Sequence, residues 1–148
     1  MVAHQQTSGS LRSPYNSTMD VPLETTLREM AESAPPEIVA AYLFGSRSRG
    51  TARPSSDVDL AVLLRSRPVG RLTNVAREFE ASVERVVRGP VDMVVLNTAP
   101  ADLVHRVLRD GILVLDRDRP ARIRFEVQSR NEYFDLAPLR RLYRRLPA

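Results

Sequence analysis

Three carboxylates and one glycine–serine pair carry the chemistry this sequence offers. Asp57 and Asp59 flank Val58 at the start of an apolar run, and side chains two apart on a strand share a face. Two carboxylates so placed repel each other unless a cation lies between them, and hard divalent cations such as magnesium take oxygen ligands. The other reading is a solvated pair at a strand end. Asp92 is the one charge in the run Val91–Leu96, and an ionised carboxylate in an apolar strand is costly without a partner. If that strand lies beside the one carrying Asp59, three carboxylates could hold two metal ions for an in-line phosphoryl displacement. If it does not, Asp92 sits at an exposed strand end. Gly45-Ser46 directly follows a separate apolar run. Glycine permits positive φ and close backbone approach, and serine can cap a helix or offer its hydroxyl and N–H to a phosphate. Arg47, Arg49 and Arg53 come next, suited to the charge of a polyphosphate. Without the aspartates this segment is an ordinary turn; with them it is a phosphate grip facing a metal site.

The elements that must position these residues are legible as runs and periods. Ile38–Phe44, Asp57–Leu64 and Val91–Leu96 are nearly continuous apolar stretches of strand length, and Ile112–Leu115 is a shorter one. Leu23, Leu27 and Met30 give a helix over residues 21–33, stopped by Pro35-Pro36. A short helix starts at Ser46. Leu72, Val75, Ala76, Phe79, Val83, Val86 and Val87 form one apolar helix face over Leu72–Val87, ended by Gly89-Pro90. Pro100–Arg109 reads as a helix with Gly111 as its C-cap residue, and 121–134 as another. The fold class expected is α/β (α+β): a small mixed sheet of about four strands flanked by helices, since strands this continuously apolar are covered by helices on at least one face.

Residues 1–20, rich in Ser, Gln, Asn and Thr, read as a disordered leader, 21–136 as the folded domain, and 137–148 as a basic tail or short helix. Leu139, Leu142, Tyr143 and Leu146 recur at i, i+3, i+4 and i+7 between arginines. A closing helix packed on the core and a partner-docking helix both fit that set. His105 reads as a surface helical residue, and Phe44 and Phe79 as core.

With 148 residues, the chain has room for one domain of modest core. It contains no cysteine, which excludes disulfides, thiolate catalysis and Cys-based zinc sites. All 22 basic residues are arginine, so there is no lysine nucleophile and no P-loop lysine. The net charge is +4; a basic surface attracts nucleic acid, nucleotide or an acidic protein. No apolar run reaches membrane-spanning length and no hydrophobic secretory segment opens the chain, so a cytoplasmic location is expected.

Gly45-Ser46, ten residues, then Asp57-Val58-Asp59, with a later Asp92 in a strand, resembles the polymerase-β-type nucleotidyltransferase superfamily. The fuller strings FGSRSRG, SDVDLAVLL and VDMVVLN resemble its minimal branch, the MNT proteins. VLRDGILVLDRD and FEVQSRNEYFDL resemble the C-terminal segments of the MntA-like antitoxins. The resemblance covers about 38–136. It implies a palm-like nucleotidyltransferase fold with catalytic, metal-binding Asp57, Asp59 and Asp92, two magnesium ions, and nucleotide contacts from Gly45, Ser46, Arg47, Arg49 and Ser56. It further implies transfer of AMP from ATP to a tyrosine of a HEPN-type toxin, the chain acting as antitoxin. Two other readings stay open: a small-molecule, aminoglycoside-type nucleotidyltransferase, and a non-catalytic antitoxin that acts by docking. Direct contact with nucleic acid is possible but not favoured.

Overall fold

The computed structural model describes residues 23–50 and 56–145. The expected leader, Arg53 and Leu146 lie outside the described residues. Four strands form one sheet: β1 (Ile38–Phe44), β2 (Val58–Leu64), β3 (Val91–Val95) and β4 (Ile112–Asp116), in the order β3-β2-β1-β4. β1 pairs antiparallel with β2 and with β4, and β2 pairs parallel with β3. The parallel pair requires a crossover, which helix α3 (Leu72–Val87) provides. The remaining helices are α1 (Leu23–Glu32), α2 (Gly45–Ser48), α4 (Ala101–Asp110), α5 (Arg119–Asp135) and α6 (Ala137–Tyr143). This is the small mixed sheet expected, with helices on both of its faces.

Alternation along the strands sorts side chains into two cores. Leu43, Val58, Leu60, Val62 and Leu64 join α1 and α3 through Leu27, Val75, Phe79 and Val83. Val39, Tyr42, Ala61 and Leu63 join α4 through Val104 and Val107, with Phe125 of α5 packed alongside. Strands buried on both faces have no polar side to show in sequence, which explains their unbroken apolar runs. Arg117 fastens the end of β4 to α1: its guanidinium donates to the carbonyls of Ala31, Ala34, Pro35 and Ile38. These include carbonyls of the last turn of α1, which lack partners within the helix.

Three local expectations change. Gly111 does cap α4, its N–H donating to the Val107 carbonyl at 2.8 Å, but in extended conformation (φ −75°, ψ 152°) and not the left-handed one. Glycine is required there by space, because a Cβ would stand 2.4 Å from the Val107 carbonyl oxygen. His105 is half-buried and lies flat on the Tyr133 ring, centroids 3.7 Å apart, where a surface position was expected. Finally, α6 buries no side chain. It is held by Arg140, whose guanidinium sits over the Tyr133 ring and pairs with Asp102 and the Tyr133 carbonyl. The closing helix is fastened by one cation and leaves its apolar residues outside.

Candidate active site

The carboxylates meet because of strand register. Phe44 stands opposite Asp59 in the β1–β2 pair, and Asp59 opposite Asp92 in the β2–β3 pair. The end of β1, with Gly45 just beyond it, therefore lies in one row with Asp59 and Asp92 across three adjacent strands. Val58 and Val91 bury themselves in the α1–α3 core. Alternation then turns Asp57, Asp59 and Asp92 to the other face, the one that carries α4. The condition left open by the sequence, that the third strand lies beside the second, is met.

Asp59 is half-buried, while Asp57 and Asp92 are exposed. Burial pushes the Asp59 carboxyl above its ordinary range, and the charges of Asp92 and then Asp57 push it further; Arg49 opposes the rise. A carboxylate held among its own kind is a site in electrostatic debt to a cation. Among the described residues no three such ligands close into a preformed metal cage. By type, three carboxylates and no sulfur or imidazole donor, the set suits a hard cation such as magnesium.

Gly45 begins α2 with φ +71°, and a Cβ there would fall 2.1 Å from Asp59 Oδ2. Only glycine fits both the left-handed backbone and the approach to the carboxylate. Ser46 is half-buried in α2, and Ser48 Oγ donates to the Gly45 carbonyl at 2.9 Å. Arg47 reaches across the turn and donates to the Ser56 carbonyl at 2.6 Å, bracing α2 against the approach to β2. Arg49 is exposed and faces Asp59.

A cavity of about 230 Å³ opens over Asp59, lined by Phe44, Gly45, Arg49, Leu103, Arg106 and Asp110. Leu103, Arg106 and Asp110 recur at i, i+3 and i+7 on α4, so one stripe of that helix forms the wall opposite the strands. Sequence reasoning missed these three residues. Their only signal was that helical spacing, and it mixes an apolar with two charged side chains. A larger cavity, about 360 Å³, is lined by Arg67, Leu96, Asn97, Phe125 and others. It lies by the opposite ends of β2 and β3, where Asn97 pairs with both backbone groups of Leu64. Chemistry, not size, selects the smaller one: only it contains one of the clustered aspartates.

The family profile described as polymerase beta, nucleotidyltransferase matches residues 25–120. The chain belongs to that family. It is 36% identical over 77 residues to protein adenylyltransferase MntA of Shewanella oneidensis, an alignment covering 51% of this chain and 52% of that protein. It thus spans about half the length of the curated relative it matches. Among solved structures, a chain of a toxin–antitoxin crystal structure with AMP-PNP superposes with a TM-score of 0.67 at 25% identity, covering 81% of this chain and 94% of that one. A chain from the tri-AMPylated Shewanella oneidensis HEPN toxin in complex with MNT antitoxin superposes with a TM-score of 0.62 at 22% identity, covering 82% and 92%. The latter likeness is one of fold alone. No helix among the described residues is long and apolar enough to cross a membrane.

Proposed function

We propose that this nucleotidyltransferase moves AMP from ATP to a tyrosine hydroxyl of a cognate HEPN-type toxin and so acts as its antitoxin. The observation that carries the reading is the row Gly45–Asp59–Asp92 across three adjacent strands. The likeness to an adenylyltransferase, MntA, supports AMP as the transferred group. The likeness to a chain of a toxin–antitoxin structure with AMP-PNP supports ATP as donor and a toxin as acceptor.

Asp57, Asp59 and Asp92 hold magnesium ions, two in number by the superfamily resemblance, which stabilise the charge developing at the α-phosphorus and on the leaving pyrophosphate. Gly45 and Ser46 hold the β- and γ-phosphates, with the glycine letting the chain approach closely. Ser56, whose carbonyl is held by Arg47, keeps the turn closed around them. Arg49 and Arg106 line the cavity over Asp59 and supply positive charge to the triphosphate. The acceptor's phenolic oxygen bonds to the α-phosphorus as the bond to the β-phosphate oxygen breaks, and pyrophosphate leaves. A phenol titrates near 10, so it needs help at neutral pH. Asp92, exposed at the rim, takes the proton as the new bond forms.

The test is intact-mass analysis of the toxin encoded beside this chain, co-expressed with it. A gain of one or more AMP units on tyrosine, absent with Asp57→Asn, is expected. Neutralisation of the toxin by Asp57→Asn with no mass gain would replace catalysis by docking. AMP found only on an added aminoglycoside would establish the small-molecule reading.

A further inference from the structure

We propose that the outward face of α5 and α6 docks an acidic protein surface, and that this protein is the acceptor of the transfer; the second half rests on the function proposed above. Ile123, Val127 and Phe134 are spaced by four and seven residues, which puts them on one stripe of α5. Leu139, Leu142 and Tyr143 continue the apolar surface on α6. Val127 is 50% exposed, Phe134 57%, Leu139 51%, Leu142 57% and Tyr143 72%. Among the described residues only two other large apolar side chains, Val69 and Val86, are comparably exposed, and they stand apart in sequence. Scattered exposed apolar residues need no explanation, whereas a concentration on two consecutive helices marks a contact surface.

Charge selects the occupant. From Arg119 to Arg145 there are eight arginines and three carboxylates. Arg122 is taken up by Asp116 and Glu126, and Arg140 by Asp102. Arg124, Arg130, Arg141 and Arg144 make no ion pair among the described residues. A second copy would set like charge against like charge; a partner with carboxylates around an apolar ridge is complementary.

The face is also joined to the active site. Tyr133 of α5 stacks on His105 of α4, and Arg140 of α6 pairs with Asp102 of α4. The same α4 turns Leu103, Arg106 and Asp110 into the cavity over Asp59. Packed helix axes lie about 8–10 Å apart, so a protein seated on α5 and α6 is about one helix width from the row of carboxylates.

The experiment measures equilibrium binding of the protein encoded beside this chain to the full-length Asp57→Asn chain, which cannot modify it. Leu139→Glu with Leu142→Glu should weaken binding about tenfold or more with no loss of Tm. Arg141→Glu with Arg144→Glu should weaken it and flatten its decline with salt. Undiminished affinity in both variants overturns the docking face. So does a self-associated parent that the leucine variant disperses, which would make a second copy the occupant. A Tm loss of several degrees in the leucine variant alone would mean that another part of this chain covers the face, and overturns it too. If the parent binds through these residues but the wild-type chain adds no AMP, only the transfer reading fails.

Discussion

On the α1–α3 face of the sheet, Leu43, Leu60, Val62 and Leu64 meet Leu27, Phe79 and Val83 in a core without a buried polar group. The α4–α5 face is built otherwise. Tyr42 donates its hydroxyl to Glu126 at 2.8 Å, and Arg122 pairs with that same carboxylate at 2.6 Å. Burial, and then the Glu126 carboxylate, hold the Tyr42 phenol far above its ordinary range. Asp59 and Asp92 stand at one end of this face, and the cavities over Asp59 and around Asn97 both open on it. One face supplies stability, and the other gives up part of its apolar area to charged groups that chemistry needs. The difference teaches where substitutions should register: as unfolding on one side and as lost activity on the other.

The largest expected effect is on transfer. Asp57→Asn with Asp59→Asn should lower it by on the order of 10³-fold while leaving Tm unchanged or higher, because like charges are removed. Transfer rates of the double variant, read beside its melting curve, check this. A folded variant with near-normal transfer would break the division.

Phe79→Ala, on the apolar face, should cost about 3–5 kcal/mol, which for a chain of this size lowers Tm by roughly 6–20 °C. Its affinity for ATP with magnesium, measured well below Tm, should match that of the wild type. An affinity loss would show that the faces are coupled.

Gly45→Ala sharpens the comparison, because Gly45 serves both ends. A methyl group there meets Asp59 Oδ2 and a left-handed backbone together. The expected cost is about 2 kcal/mol or more, a Tm drop of roughly 4–8 °C, with loss of nucleotide affinity as well. Loss of stability alone would remove Gly45 from the phosphate grip.

The smallest effect is a pH dependence. The Asp59 carboxyl titrates above its ordinary range through burial and its carboxylate neighbours. Between its unfolded and folded pKa the folded chain holds the extra proton, so stability falls as pH rises through that window, and the penalty is complete above it. Asp59→Asn should therefore melt higher than wild type at neutral pH, and the gap should close as pH falls through the window. Melting curves without metal over that range check the sign. A wild type that melts higher at neutral pH would mean that Asp59 stabilises the fold.

The strands were legible because burial on both faces leaves no polar positions, and α3 because its apolar residues keep one period. The active site was half legible. The types and spacing of Gly45, Asp57 and Asp59 stand in the chain, but the approach of Asp92 depends on strand order, which arises from packing. Arg106 and Asp110 could not be assigned, since the wall they form exists only once α4 lies over the end of β1. The apolar residues of α5 and α6 promised burial by composition. They face outward because α5 is placed against the core mainly through Phe125 and the Glu126–Tyr42 bond, and hydrophobicity alone cannot say which stripe of a helix turns inward.

Hydrogen exchange of the full chain with and without ATP and magnesium tests most directly whether the chemistry resides at the carboxylate end of the α4 face. The account predicts slowed exchange in the segments 44–50, 57–60 and 103–110, with the α1–α3 core unchanged. Protection centred instead on Arg67, Asn97 and Phe125, around the larger cavity, would contradict it.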